Sequence, residues 1–239
     1  METQRARTAY EKWDVGPTVA EALGTVDRPD PVLPRSGGPA GNARLTAWVG
    51  VVLFVLLAVE GVTLIDVRGL ITWHIVVGAL LVPPAVLKTV TTGWRMVRYY
   101  VGTPSYQVAG PPPLPLRLLG PLVVLSTLGL LATGIAVGVL GPDSGRGRLW
   151  GTPISPLFLH QATFAVWIVV MTLHVLGRLV PAVRIVTGRV VGAAQVDGRA
   201  ARIAAIVLAV GLAAWVAQLV LTGSSAWQHD VVRNFGLDH

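Results

Sequence analysis

Five long stretches of the sequence carry at most one charged residue, and this pattern dictates the class of fold. Each is long enough to cross the ~30 Å apolar core of a bilayer as a helix. In lipid only helices and closed barrels satisfy the backbone, and the period-2 alternation of barrel strands is absent. We therefore predict an all-α polytopic membrane protein with five transmembrane helices. The stretches are residues 45–65, interrupted by Glu60, and residues 69–87, 118–142, 149–177 and 203–222.

The predicted organisation is a membrane domain between two tails. Residues 1–43 mix acidic and basic side chains without the apolar core of a signal peptide, and their Pro- and Gly-rich end predicts a flexible cytoplasmic tail. The alternative for residues 9–23 is a small ordered piece, whose Tyr10, Trp13 and Val19 could lie on a membrane or a partner. Residues 44–222 form the transmembrane domain, in which the first four spans make an antiparallel bundle and the fifth is an accessory helix. Residues 223–239 form an extracytoplasmic tail. The spans are predicted at about residues 45–65, 69–94, 118–142, 153–177 and 203–222.

The distribution of lysine and arginine predicts the orientation. Outside the predicted spans, successive segments hold 6, 1, 3, 2, 5 and 1 of them, counted from the N-terminus. The positive-inside rule then places the N-terminus in the cytoplasm and the C-terminus outside. The net charge of +7 is explained by this topology and by attraction to anionic membrane lipid, so it does not require a nucleic-acid partner.

Three histidines and a lysine occupy matched positions in the second and fourth stretches. His160 and His174 lie fourteen residues apart, which along a helix is ~21 Å and within ~40° of the same direction. His74 lies at the depth of His160, and Lys88, fourteen residues later, lies at the depth of His174. Because these two spans run parallel, we predict an outer level with His74 and His160 and an inner level with Lys88 and His174.

Such a pattern is typical of haem ligation. Two facing imidazoles can bind a haem iron on its two axial sides, while the other nitrogen of each ring is hydrogen-bonded by the protein. His74, His160 and His174 are therefore the candidate metal ligands and cofactor-binding residues. Haem propionates need cations, and Arg95 and Arg98 lie at the inner rim.

The same residues permit an interpretation without a cofactor. Membrane histidines can simply hydrogen-bond between helices, and aromatic side chains on one helix face are often ordinary packing. Glu60 is another ionisable residue within an apolar stretch. It is either a proton relay, a partner of His74 or a carboxylate that reaches the membrane interface.

Lys88 stands where the inner level would need a second histidine. Its neutral amine could ligate iron beside His174, but the side chain could also extend to the cytoplasmic headgroups or bind a propionate or lipid phosphate. The last two roles are favoured, so we predict one haem and not two. Pro83 and Pro84 precede Lys88, and the backbone carbonyls that they free could admit a quinone headgroup.

On these residues the chain resembles the membrane-bound cytochrome b superfamily, the four-helix haem b proteins that include cytochrome b561-like and b/b6-type subunits. The resemblance covers about residues 45–180 and rests on the spacing of His160 and His174 together with His74. The chain is also similar to a group of actinobacterial integral membrane proteins that share these histidines and the sequence Pro83-Pro84. The resemblance implies a cytochrome b-like bundle in a bacterial plasma membrane, bis-histidine haem b, quinone, and a peripheral or membrane redox subunit.

The expected function is transmembrane electron transfer through b-type haem, between the quinone pool and a redox partner. The alternative is a non-redox transporter or assembly subunit in which Glu60, His74 and Lys88 form a polar relay. No nucleophile–base constellation or phosphate-binding loop is present, so an electron-transfer subunit is favoured over a stand-alone enzyme. Because the chain contains no cysteine, iron–sulfur clusters and covalent haem attachment are excluded.

Overall fold

The computed structural model describes residues 15–26, 30–108, 110–145, 148–189, 196–223 and 227, and these residues contain helices but no strand. Turns, three short 3-10 segments and the four-residue helix Pro104–Gln107 connect the longer helices. The longer helices are α1 (Val15–Ala22), α2 (Gly38–Thr63), α3 (Ile71–Tyr100), α4 (Leu114–Leu140), α5 (Pro156–Val186) and α6 (Arg199–Gly223).

Five of these helices, α2 to α6, are long and apolar enough to cross a membrane. The predicted all-helical fold with five spans is therefore confirmed. Helix α3 differs from the other four, because 44% of its most apolar 18-residue segment is buried, against 6–11% in the corresponding segments of the others. It also has the lowest mean hydropathy of the five, 1.7, which fits a helix that contacts other helices more than lipid.

Helices α3 and α5 extend past the ends of their uncharged stretches. The predicted ends were residues 94 and 177, but α3 continues to Tyr100 and α5 to Val186. Arginines occupy the last turns of both helices, where a positive charge interacts favourably with the helix dipole. The chain turns just beyond each helix at a glycine in the left-handed conformation, Gly102 with φ 81° and Gly188 with φ 71°.

The chain divides into two compact units, and each membrane helix contributes to both. The His74 unit comprises Val52–Val86, Ser126–Ile168 and Val207–His239. The Lys88 unit comprises Met1–Val51, Leu87–Leu125 and Val169–Ile206. The predicted outer pair of side chains falls in the first unit and the predicted inner pair in the second.

Part of the predicted N-terminal tail is structured. Residues 15–22 form α1, and α2 begins at Gly38 and not at residue 45. Residues 1–14 and 27–29 of the tail lie outside the described residues, as do residues 224–226 and 228–239 of the predicted outer tail. Pro83 and Pro84 lie inside α3, are buried, and do not end the helix.

Candidate functional site

His74 is held by the end of the preceding membrane helix. Its Nδ1 lies 2.9 Å from Glu60 Oε1 and 3.1 Å from Thr63 Oγ1. The Thr63 hydroxyl donates its proton to the Glu60 carbonyl at 2.6 Å, so it accepts from His74. A carboxylate also only accepts, and the proton of the imidazole is therefore on Nδ1. Of the roles predicted for Glu60, contact with His74 is the one that the structure confirms.

His160 is held in the same way by α4. Its Nδ1 lies 3.1 Å from Thr133 Oγ1, and that hydroxyl donates to the Gly129 carbonyl at 2.8 Å. In the tautomer that carries the His160 proton on Nδ1, the Thr133 hydroxyl oxygen accepts from that Nδ1–H. Gly134 allows the close approach, because a Cβ at this position would lie 3.2 Å from His160 Cε1. Thr163 completes the network with a bond to the His160 carbonyl at 2.9 Å.

The two imidazoles lie next to each other within the His74 unit. Their ring centroids are 6.5 Å apart, and the ring planes are inclined by 69°. Neither Nε2 has a hydrogen-bond partner among the residues that the structure describes. The sequence-based prediction that His74 and His160 lie side by side is therefore confirmed. Each ring has its Nδ1 fixed by the protein and its Nε2 lone pair available.

The spacing of the two ring centres matches that of two axial ligands of one metal ion. A metal–nitrogen bond of about 2 Å on each side, plus about 1 Å from each nitrogen to its ring centre, separates the ring centres by about 6 Å. The observed 6.5 Å agrees with that value. Within the described ranges, no three His, Asp or Glu side chains come together as metal ligands. Two imidazoles match a metal whose other ligands come from a macrocycle, as the iron of haem does.

The surroundings of the pair combine small and aromatic residues. Gly78 faces Glu60, and a Cβ there would lie 3.7 Å from Glu60 Oε1. Phe164 and Trp167 lie below His160 on α5 and are stacked, with their ring centroids 6.2 Å apart. Trp167 is buried and donates to Thr127 Oγ1 at 3.1 Å, so part of the aromatic face is engaged in helix packing.

Lys88 contacts helix α2 in the Lys88 unit. Its ammonium donates to the Thr46 carbonyl at 3.0 Å, and a Cβ on Gly50 would lie 3.0 Å from Nζ. Thr46 also bonds Thr91 at 3.1 Å, and Asn42 donates to the Thr91 carbonyl at 3.0 Å. These contacts join one face of α2, at four-residue spacing, to α3. Lys88 is thus engaged between two helices, a role that the sequence analysis did not consider.

His174 lies in the Lys88 unit within electrostatic range of Lys88 and Arg178. It makes no hydrogen bond with any residue in the described part of the chain. Arg178 in turn is paired with Glu21 of α1, with Nη1 2.6 Å from Oε1. The structure therefore brings Lys88 and His174 into one polar region, in which Arg178 is paired with a carboxylate of the N-terminal segment.

The two arginines predicted to bind propionates have internal partners. Arg95 forms two contacts with the Asp30 carboxylate, one of them 3.0 Å between Nη1 and Oδ2. The Arg98 guanidinium lies over the rings of Trp94 at 5.4 Å and Tyr106 at 5.9 Å. Asp30 thus already neutralises Arg95, and aromatic rings flank Arg98.

Three threonines of the site were missed by the sequence analysis. Thr63 and Thr133 anchor the two imidazoles, and Thr163 supports Thr133. Thr63 lies three residues after Glu60, and Thr133 directly precedes Gly134. A threonine one turn from an intramembrane carboxylate, or beside a helix-contact glycine, is the signal that could have identified them.

Comparison of the chain with protein-family models, with curated proteins and with solved structures finds no match.

Proposed function

We propose that the protein binds one b-type haem between His74 and His160 and transfers electrons within the membrane, between the quinone pool and a redox partner. The observation that carries the proposal is the paired anchoring of the two rings. Each Nδ1 is hydrogen-bonded to a threonine of the preceding membrane helix, and the ring centroids are 6.5 Å apart. The sequence resemblance to membrane-bound cytochromes b supports the quinone and the redox subunit as partners.

In this proposal the chain's own residues prepare the ligands. Glu60 and Thr63 fix the tautomer and the direction of His74, and Thr133 does the same for His160. The carboxylate of Glu60 also makes the His74 ring more electron-rich, which favours the more positively charged state of a bound metal. A bound haem b would supply reversible one-electron transfer to the site.

The proposal assigns one haem to each chain. At the other candidate position the Lys88 ammonium is directed to the Thr46 carbonyl, so a metal bound to His174 would not have Lys88 as its second ligand. We propose Lys88 as a contact between α2 and α3, and His174 as a residue that does not hold iron. The arginine distribution supports a bacterial plasma membrane orientation with the N-terminus in the cytoplasm and the C-terminus outside.

The test is an optical spectrum of the full chain, purified in detergent from cells that make haem. The expected result is a reducible b-type Soret and α band, with one haem per chain by pyridine haemochrome assay. His74→Ala and His160→Ala should each abolish the bands. His174→Ala and Lys88→Met are the matched controls, because they remove an intramembrane nitrogen of the other unit and should leave the spectrum unchanged.

A colourless wild-type protein would refute the proposal. So would a haem whose bands survive His160→Ala, because the ligand would then lie elsewhere. Loss of the bands in His174→Ala, with the protein still folded, would move the site to the Lys88 unit.

The hydrogen-bonded pair of Glu60 and His74 favours a second candidate function, a proton or cation pathway without a redox cofactor. Lys88 was part of the predicted polar relay, but it falls in the other unit, bonded to Thr46. A colourless protein that moves protons in vesicles, and loses this activity in Glu60→Gln, would support the second function.

A further inference from the structure

Helix α1 exposes apolar side chains and buries its charged one, the reverse of a surface helix on a water-soluble protein. Its carboxylate residue, Glu21, is only 6% exposed, while Val15 and Val19 are 69% and 51% exposed. Leu23, directly after the helix, is 62% exposed. Val15, Val19 and Leu23 follow one another at four-residue spacing and therefore form one apolar stripe. The polar side of α1 faces the protein, and its apolar side faces outward.

Contacts with α5 fix this orientation. Glu21 Oε1 lies 2.6 Å from Arg178 Nη1, which turns the carboxylate toward the protein. Gly24 is buried against the same helix, because a Cβ there would lie 2.9 Å from the Arg184 side chain and 3.1 Å from Val180. The absence of a side chain at Gly24 thus allows α1 to lie close to the last turns of α5.

These contacts place α1 beside the end of an apolar span. Arg178 is the first charged residue after the uncharged stretch 149–177, and arginines that end such stretches lie at the level of lipid headgroups. Val180, which lies against Gly24 just after α1, is itself 38% exposed, so the outward apolar surface beside α1 includes part of α5.

We propose that α1 lies in the membrane interface, with Val15, Val19 and Leu23 inserted among the lipids and Glu21 anchoring it to Arg178. A helix whose apolar side faces outward is unfavourable in water, because that side would be exposed to the solvent. Lipid is the favoured occupant, since α1 lies against the end of a membrane helix whose neighbouring Val180 is also partly exposed. The proposal does not depend on whether the protein binds haem.

Because the chain contains no cysteine, single spin labels can test this directly. Val19→Cys is labelled in the full chain, reconstituted into phosphatidylcholine–phosphatidylglycerol bilayers. Collisions with oxygen, which concentrates in lipid, are compared with collisions with a water-soluble nickel complex. Leu208→Cys on α6, 73% exposed in an apolar span, is the lipid control, and the exposed Thr187→Cys, beyond the charged end of α5, is the water control.

The label at Val19 should have an oxygen-to-nickel ratio within about twofold of the Leu208 control and well above that of Thr187. Adding Glu21→Ala should lower that ratio and increase the label's mobility, because the anchor to Arg178 is lost. A Val19 label that behaves like Thr187 in the purified bilayer would overturn the proposal. If that label becomes shielded from both probes only in native membranes, the occupant is a protein and not lipid. An unchanged signal in Glu21→Ala would overturn the anchoring role of the ion pair.

Discussion

Glu60 Oε1 and His74 Nδ1 lie 2.9 Å apart, on two successive helices of the His74 unit. Both side chains are mostly enclosed, with exposures of 15% and 22%. A carboxylate that accepts from a ligand histidine orients the ring and raises its basicity. The pair therefore links an acidic residue of α2 to the electronic properties of the proposed iron site.

The first prediction concerns this pair. Glu60→Gln keeps a hydrogen-bond acceptor for His74 but removes the negative charge, so the ferric state loses stabilisation. The midpoint potential should rise by about 60 mV for each tenfold loss of preference for the ferric form. Glu60→Ala should also weaken haem retention by about 10- to 100-fold. Redox titration and haem-release assays measure the two effects. A potential that is unchanged in both variants would show that Glu60 does not act on the site.

The second prediction concerns the anchor of His160. Thr133→Val has nearly the same shape but leaves the Nδ1–H of His160 without its acceptor, at a cost of about 1–3 kcal/mol. Haem occupancy and thermal stability in detergent should both fall. Thr163→Val is the control, because Thr163 contacts Thr133 and the His160 carbonyl but not the imidazole nitrogen. Equal haem loss in the two variants would argue against a specific anchoring role for Thr133.

The third prediction uses two glycines of α4. A Cβ at Gly134 would lie 3.2 Å from His160 Cε1, whereas a Cβ at Gly138 would meet no atom within 4 Å. Both Gly→Ala changes gain about 1 kcal/mol of intrinsic helix propensity, so this effect cancels in the comparison. Gly134→Ala should displace the ring and shift or reduce the Soret band, while Gly138→Ala should preserve it. Identical spectra for both variants would contradict the geometry at His160.

The fourth prediction distinguishes a structural role of Lys88 from a role as a haem ligand. Lys88→Met retains the aliphatic chain but loses the bond to the Thr46 carbonyl. We expect a lower melting temperature, corresponding to about 1–3 kcal/mol for the lost charged hydrogen bond, with the haem bands unchanged. Thermal unfolding and optical spectra of the same preparation measure both. Disappearance of a haem signal in a folded Lys88→Met protein would restore Lys88 as a ligand.

The five spans and the adjacency of His74 and His160 could be predicted, because uncharged length and matched depth are properties of the sequence itself. The threonine anchors could not, since threonine is common in membrane helices and its partner depends on helix rotation. The N-terminal contacts were missed for a different reason. Glu21 and Arg178 are 157 residues apart in sequence, and a Pro- and Gly-rich segment with mixed charges predicts a flexible tail.

The contacts between α2 and α3 have a consequence for biogenesis. These two helices are joined by the Glu60–His74 pair, 14 residues apart in sequence, and by the bond from Lys88 to Thr46, 42 residues apart. The hairpin can therefore lock as soon as its second helix leaves the translocon. His160 is translated 86 residues after His74, so the paired imidazoles come together only when α5 inserts. Loading of the proposed haem would thus be a late step, and a ribosome-stalled chain that ends before α5 should insert with its α2–α3 hairpin formed but without pigment.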